Sequence, residues 1–580
     1  MKIKEKTIIV IILIIQTIIF VIAGINKSYI HMDEAYSLGL TNYNKVEIQQ
    51  NEDFYNTWHN KEYYEDYLSV NDNEKNNFLP VYENQKNDVH PPLYYLFLRI
   101  AMQFNIGSFS KWPGIILNII IYLFITIFMY LILRKLFAKS ENSQIKSAFL
   151  ALISSLTLAS INNAIYIRMY ALSSLNILIT TYLHLKLAEK KGNNYKLLVA
   201  IGISALVGSL THYYYLFYLA MLFIMFVIKY LKEKEYKELA KYIITMIIAG
   251  ILSLIIFPYS IKHMFLGYRG KGAINSLLNI SEFFIKICQY ILIINVYAFN
   301  NILFILVVFI LGIIIYKKIK KIKLIEKNKY IKYILYPTIF YFLLVAMSAP
   351  WIELRYMMPI CSIIFILIMY LLIMLLKNIV KEKTLNIIVI VIALLMFIMP
   401  FISNQIIDIS VGKKFKYEQE NAYSSKQEIV EKLKSESNIP INIFSKFTDA
   451  SIDDTLLFIK NFRIEPEVLY SNKHKITEMI EKEYKNLPTL YLFNSNNNRF
   501  LDDILLFAKI NKSYIAKDIE CNSQNIKQLM KDKDTSHGIL VFINDGQEKD
   551  EKIEIIKETF GFEQTTYLQR LNACDLYYIH

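Results

Sequence analysis

The chain has 580 residues, 54% of them hydrophobic and only 20% charged, and carries a formal net charge of +14 at neutral pH. The apolar residues come in long blocks almost free of charge, a distribution that excludes an ordinary soluble core. The basic excess does not call for nucleic acid, because Lys and Arg cluster in short segments between those blocks, where the positive-inside rule accounts for them.

The first block, Thr7–Ile25, follows Lys2, Lys4 and Lys6. A basic start and an apolar run also describe a signal peptide, but the run is long and no small-residue cleavage pattern follows, so we read an uncleaved span. Pro113–Leu133, Ile243–Phe257, Ile302–Tyr316 and Ile387–Ile402 repeat the pattern, most of them near the ~20 residues that cross a bilayer. Spans are placed near 7–25, 113–133, 147–163, 170–187, 197–211, 214–230, 242–258, 300–316, 333–349, 357–376 and 385–403. Basic clusters at Arg134–Lys139, Lys190–Lys196, Lys229–Lys241, Lys317–Lys332 and Lys377–Lys383 put the N-terminus inside. An odd number of spans then puts the C-terminal end outside. The same count places outside the loop 26–111, the junction near 164–169, the turns at 211–213 and 350–356, and the loop 259–299.

Leu93–Phe104 is apolar but too short to span and contains Arg99, so it is expected as a helix lying in the interface. From about Asp408 the composition turns soluble. Strand-like runs Thr489–Phe493, Gly538–Ile543 and Leu576–Ile579 alternate there with helix-like Ile476–Tyr484 and Glu551–Thr559. The expected architecture is therefore a polytopic α-helical membrane protein of about eleven spans over 1–403, followed by a small extracytoplasmic α/β domain over 404–580. Of the four cysteines only Cys521 and Cys574 share that domain, and both a disulfide and a reduced pair remain open.

The polar motifs all fall on the outer side. Asp33 and Glu34 follow the first span, where a partly desolvated carboxylate suits a catalytic base; an ordinary polar helix boundary is the alternative. In Asp88-Val89-His90-Pro91-Pro92-Leu93-Tyr94-Tyr95 the prolines impose an extended entry to the helix and so aim Asp88 and His90, although Pro-Pro also punctuates structure generally. Arg168, Arg355, Lys262, Arg269 and Lys271 are positive charges on the wrong side for the inside bias, and they want an anion. Arg168 and Arg355 suit a lipid phosphate through the planar guanidinium fork; snorkelling, or pairing of Arg355 with Glu353, is the competing account. Thr211-His212-Tyr213-Tyr214-Tyr215 adds an imidazole and aromatic rings at the same level.

Together these motifs resemble the protein O-mannosyltransferase-like GT-C glycosyltransferases, which include the lipid A aminoarabinose transferases. The resemblance covers most of 7–376. It rests on Asp33-Glu34, Asp88-x-His90-Pro91-Pro92-Leu93-Tyr94-Tyr95, Arg168-Met169-Tyr170-Ala171-Leu172, Thr211-His212-Tyr213, and Arg355-Tyr356 with Pro359, in the family's order.

The resemblance implies a GT-C fold and an inverting transfer from a polyprenyl-phosphate sugar donor, with Asp33 as base or acceptor-orienting residue and Glu34 and Asp88 as supporting carboxylates. Arg168, His212 and Arg355, with His90, Tyr94, Tyr170, Tyr213 and Tyr356, would contact phosphate or shape the substrate site. Some relatives bind a divalent metal, but nothing in this sequence demands one. The C-terminal part lacks the repeats of eukaryotic protein mannosyltransferases, which leaves open whether the envelope acceptor is a glycan, a lipid or a protein. Richness in Ile, Lys and Asn fits a low-GC bacterium, a plasma-membrane location and undecaprenyl phosphate as carrier. Two other readings stand beside this one. A transporter or flippase of lipid-linked sugars would place its charges near the membrane midplane, in repeated halves. A receptor or scaffold would leave the outer cations unexplained.

Overall fold

A computed structural model of the chain describes residues 3–27, 30–42, 54–189, 194–277, 280–325, 328–350, 352–399, 479–493, 503–544, 548–571 and 574–580. The expected soluble run from 404 to 478 therefore lies outside the described residues, as does the end of the last expected span. The chain forms two compact units: Met1–Ala23, Asp88–Tyr94 and Asn118–Glu465 in one, and Gly24–Asn87, Tyr95–Leu117 and Pro466–His580 in the other.

Each of the eleven expected spans falls on a helix. Six helices are long and apolar enough to cross a membrane: Glu5–Asn26, Trp112–Leu136, Tyr215–Glu233, Tyr236–Ile256, Met358–Leu376 and Glu382–Met399. The number rises to eight if two bent pairs each count as one span. The protein is an integral membrane protein. Tyr195–Ser209 and Lys332–Ser348 are shorter apolar helices. Tyr170–Leu187 buries Ser173, Ser174, Asn176, Thr180, Thr181 and His184 among its neighbours, and these polar groups lower its hydropathy below that of a lipid-facing helix.

The bends break the single span expected at 147–163 and put a second helix, in place of the expected loop, before the span at 300–316. Ser143–Ser155 and Leu158–Ile165 meet at 64°, where Thr157 caps the second helix by accepting the Ser160 N–H through its side chain. Phe283–Phe299 and Leu303–Ile319 meet at 95°, across Asn300 and Asn301 with φ of 48° and 70°. Asparagine tolerates that left-handed conformation. The freed groups at the bend are satisfied internally, as an apolar surrounding requires. Asn295 accepts the Leu303 N–H (3.0 Å), while Asn300 accepts the Leu158 N–H (3.2 Å) and donates to the Met396 carbonyl (2.9 Å). Much of the expected loop 259–299 is helical as well, with Tyr268–Leu277 and Ile280–Phe299 inside it.

The second unit contains a six-stranded mixed sheet of β1 (Trp58–His59), β2 (Thr489–Phe493), β3 (Ser513–Lys517), β4 (Ile539–Asn544), β5 (Thr565–Arg570) and β6 (Cys574–Ile579), in the order β1-β3-β2-β4-β6-β5. The central strands β3, β2 and β4 are parallel to one another. Burial on both faces explains why β2 and β4 read as continuous apolar runs. Leu490, Leu492, Val541 and Ile543 pack with Ile526, Met530, Ile553 and Ile556 of the covering helices.

Sequence reading missed three strands. In β3 the apolar run is bounded by Ser513 and Lys517, and the residues of β5 from Thr565 to Tyr567 are exposed on a sheet edge. The third, β1, comes from the long loop after the first membrane helix and pairs antiparallel with β3. Trp58 donates its indole N–H to the Leu529 carbonyl (3.2 Å), Tyr64 bonds Ser513 (2.8 Å), and Asn56 accepts the Lys517 N–H (2.9 Å). No disulfide joins Cys521 and Cys574.

Candidate active site

In the first unit, segments far apart in sequence are tied together by backbone and buried polar bonds. Pro91 and Pro92 end the loop, and the helix Leu93–Met102 starts directly after them. The Leu93 N–H donates to the Leu210 carbonyl (3.1 Å), next to the His212 turn. Tyr94 donates to Asn118 (3.2 Å), which in turn donates to the Tyr166 carbonyl (2.5 Å), two residues before Arg168. Asn176 donates to Thr211 (3.0 Å), Ser174 to the Met358 carbonyl (3.3 Å), and Tyr341 to the Tyr356 carbonyl (2.9 Å).

This scaffold gathers a charged and aromatic cluster. Asp88 and His90 share a 2.9 Å hydrogen bond. The His90 and His212 rings lie 6.2 Å apart, Tyr170 is 5.5 Å from His212, and Tyr214 links His212 (5.1 Å) to Tyr356 (5.8 Å). Tyr213 bonds His263 (2.9 Å). Arg168 is 5% exposed.

Burial works against a charge on Asp88, but the His90 hydrogen bond and the Arg168 guanidinium hold its carboxyl below the usual range. Burial pushes His90 down, and Arg168 and Arg269 push the same way against the pull of Asp88. His212 lies well below the ordinary imidazole range, first through burial and then through His90 and Arg168. The cluster thus sets an ionised carboxylate and neutral imidazoles beside the Arg168 and Arg269 guanidinium groups.

Arg355 grips Glu353 with two nitrogens, at 2.7 and 2.9 Å, and lies over the Tyr356 ring. Arg269, which sequence marked only as an outer-loop cation, acts on His90, Tyr214 and Tyr356. Its alternation with polar loop residues offered no signal for that placement. His263 was missed outright. Among the described residues no three His, Cys, Asp or Glu side chains converge so as to hold a metal ion.

The second unit holds Asp33 and Glu34, in the first turn of the helix Met32–Asn42. Glu34 is 1% exposed and faces Lys27, equally buried, at 2.5 Å. Asp33 is 15% exposed, with Oδ2 3.8 Å from His31 Nδ1. Lys111 donates to the backbone carbonyls of Lys27 and Ile25, and burial, with help from Lys27, pushes its ammonium down to about 8. Arg99, on the short apolar helix expected in the interface, is fully buried in protein and bound to backbone carbonyls.

Residues 89–260 match the family described as Dolichyl-phosphate-mannose-protein mannosyltransferase. Over that segment the chain is similar to membrane glycosyltransferases of this family. His90, Tyr94, Arg168, Tyr170, His212 and Tyr213 lie inside the matched segment, whereas Asp33, Glu34, Asp88, Arg355 and Tyr356 lie outside it. No curated protein matches the chain. Among solved structures it is similar to ArnT from Cupriavidus metallidurans bound to undecaprenyl phosphate, at 8% identity and a TM-score of 0.45, covering 98% of this chain and 97% of that one. The same protein in the apo state gives 8% identity and a TM-score of 0.43, with 97% of each chain covered. Likenesses this distant carry no argument about chemistry.

Proposed function

We propose that this protein moves a sugar from a polyprenyl-phosphate donor to a cell-envelope acceptor on the outer face of a bacterial plasma membrane. The observation that carries the reading is the convergence of the Arg168 and Arg269 guanidinium groups on Asp88, His90 and His212. Guanidinium groups at a buried site suit a lipid phosphate, which they bind by two-pronged, charge-assisted hydrogen bonds. Arg168 and Arg269 are the principal phosphate partners, with Arg355 available by exchange from Glu353. Tyr94, Tyr170, Tyr213 and Tyr356 shape the sugar site.

A polyprenyl phosphate is a competent leaving group once its charge is neutralised, so the difficult partner is the acceptor hydroxyl. Asp33 takes the hydroxyl proton as the acceptor oxygen bonds to the anomeric carbon from the face opposite the phosphate. The bond from that carbon to phosphate oxygen breaks, polyprenyl phosphate departs and the configuration inverts. General-base assistance of this kind is worth typically ~10²–10⁴-fold. Glu34 supports Asp33, and Asp88 holds His90 and the guanidinium groups in register. The basic ends of the spans support an N-terminus inside, and residues 404–580 form an outer domain. Undecaprenyl phosphate is the carrier suited to a bacterial envelope.

The test is to incubate purified protein with a panel of polyprenyl-phosphate sugars, with and without envelope fractions, and to measure release of polyprenyl phosphate. Acceptor-dependent release is expected with at least one donor. Transport of an intact lipid-linked sugar with no release would overturn the proposal in favour of a flippase.

A further inference from the structure

We propose that Glu34 and Arg99 are positioning residues that hold the helix Met32–Asn42 by its two ends and so fix the orientation of Asp33; the consequence for catalysis rests on Asp33 being the base. The helix has 11 residues, fewer than the ~12–15 that are marginal even for good helix formers in water. Its ends must be held from outside.

At the N-terminal end the His31 carbonyl accepts the N–H groups of Glu34 (2.8 Å) and Ala35 (3.0 Å), and His31 Nδ1 accepts the Asp33 N–H (3.1 Å). Glu34 Oε2 returns to the His31 N–H at 2.8 Å. This is a capping box with an imidazole where a hydroxyl usually stands. The other oxygen, Oε1, takes the Lys27 ammonium. Both carboxylate oxygens of Glu34 are thus engaged in holding the helix start to the end of the first membrane helix. Asp33, its neighbour, keeps the more accessible carboxylate of the two.

At the C-terminal end Arg99 Nη1 donates to the Thr41 (3.3 Å) and Asn42 (3.1 Å) carbonyls, the last of the helix. Its Nη2 donates to the Glu74 carbonyl (2.8 Å), with the Glu74 carboxylate 3.7 Å away. Asn84 adds a bond to the Leu40 carbonyl (3.0 Å), and Asn42 donates to Leu68 (2.9 Å). A carboxylate in the first turn and a guanidinium beyond the last also complement the helix dipole.

Removing one member of a buried ion pair strands the other, whereas replacing both by neutral groups of similar size is tolerated. That asymmetry gives the test. Glu34→Gln in the full-length protein should lower turnover about 10–100-fold, as misplacement of a reacting group does. The KM for donor should stay nearly constant, and backbone hydrogen exchange over 31–38 should quicken. The paired variant Lys27→Met with Glu34→Gln, which folds but lacks the tie, should keep the quickened exchange and the lowered turnover. Arg99→Lys should quicken exchange at 39–42.

A paired variant with slow exchange that is as inactive as Glu34→Gln overturns the proposal, since Glu34 would then act chemically. Unchanged exchange in both Glu34→Gln and Arg99→Lys overturns it as well. If Glu34→Gln fails to accumulate, Arg99→Lys and the paired variant decide by the same readouts. A wild-type protein with no transfer from any donor defeats the reading of Asp33, while the exchange measurements still decide whether the helix is held as described.

Discussion

Glu34 in one unit and Asp88 in the other are both shielded carboxylates beside a basic group, yet their partners differ in kind. Glu34 bonds an ammonium and a backbone N–H with its two oxygens, and the Lys111 ammonium also feels it, so ammonium groups and backbone close around the helix start. Asp88 bonds an imidazole in a cluster that also feels Arg168 and Arg269. Ammonium groups are compact point charges, whereas guanidinium groups present planar forks that match a phosphate, so the second set is the one suited to recognising it.

The largest effect expected from this contrast is at Asp33. Asp33→Asn should reduce transfer by about 10²–10⁴-fold and leave donor affinity intact. Turnover close to wild type in purified Asp33→Asn would remove it from the chemistry. Next, Arg168→Ala should weaken donor binding by roughly 2 kcal/mol or more, because it takes a desolvated charge from the phosphate side of the cluster. Binding of a labelled polyprenyl phosphate to detergent-solubilised protein checks this, and an unchanged affinity breaks the comparison at its centre.

Acidification gives a smaller, graded effect. The folded protein holds His90 and His212 below the ordinary histidine value near 6.5 and Asp88 below the ordinary carboxylate value. Each therefore binds protons less readily folded than unfolded. The histidine contribution to stability is complete above about pH 6.5 and is lost as pH falls through the folded values; that of Asp88 follows at lower pH. Thermal unfolding from pH 7.5 to 5 should show the decline, and His212→Gln should flatten its upper part. The smallest effect belongs to Arg355. Because Glu353 already occupies it, Arg355→Ala should cost about 1 kcal/mol or less of donor affinity, and Glu353→Gln should raise that affinity slightly in the same binding assay.

The positions of the membrane helices were legible in the sequence because burying apolar length in a bilayer is decided locally, block by block. The strands β2, β4 and β6 were legible for a similar reason, as short apolar runs between polar ones. The Pro-Pro start of the helix at Leu93 followed from residue types alone. Tertiary structure decided what depends on partners distant in the chain. The sharp bends needed Asn295, Asn300 and Thr157 to satisfy freed backbone groups. Trp58 and His59 became a strand only because the edge of β3 was there to pair with. The different fates of Asp33 and Glu34, adjacent and chemically alike, were settled by one ammonium, Lys27, which meets Glu34 at 2.5 Å. Sequence places charges along a chain, but their pairing follows distance and burial, and only the folded chain sets those.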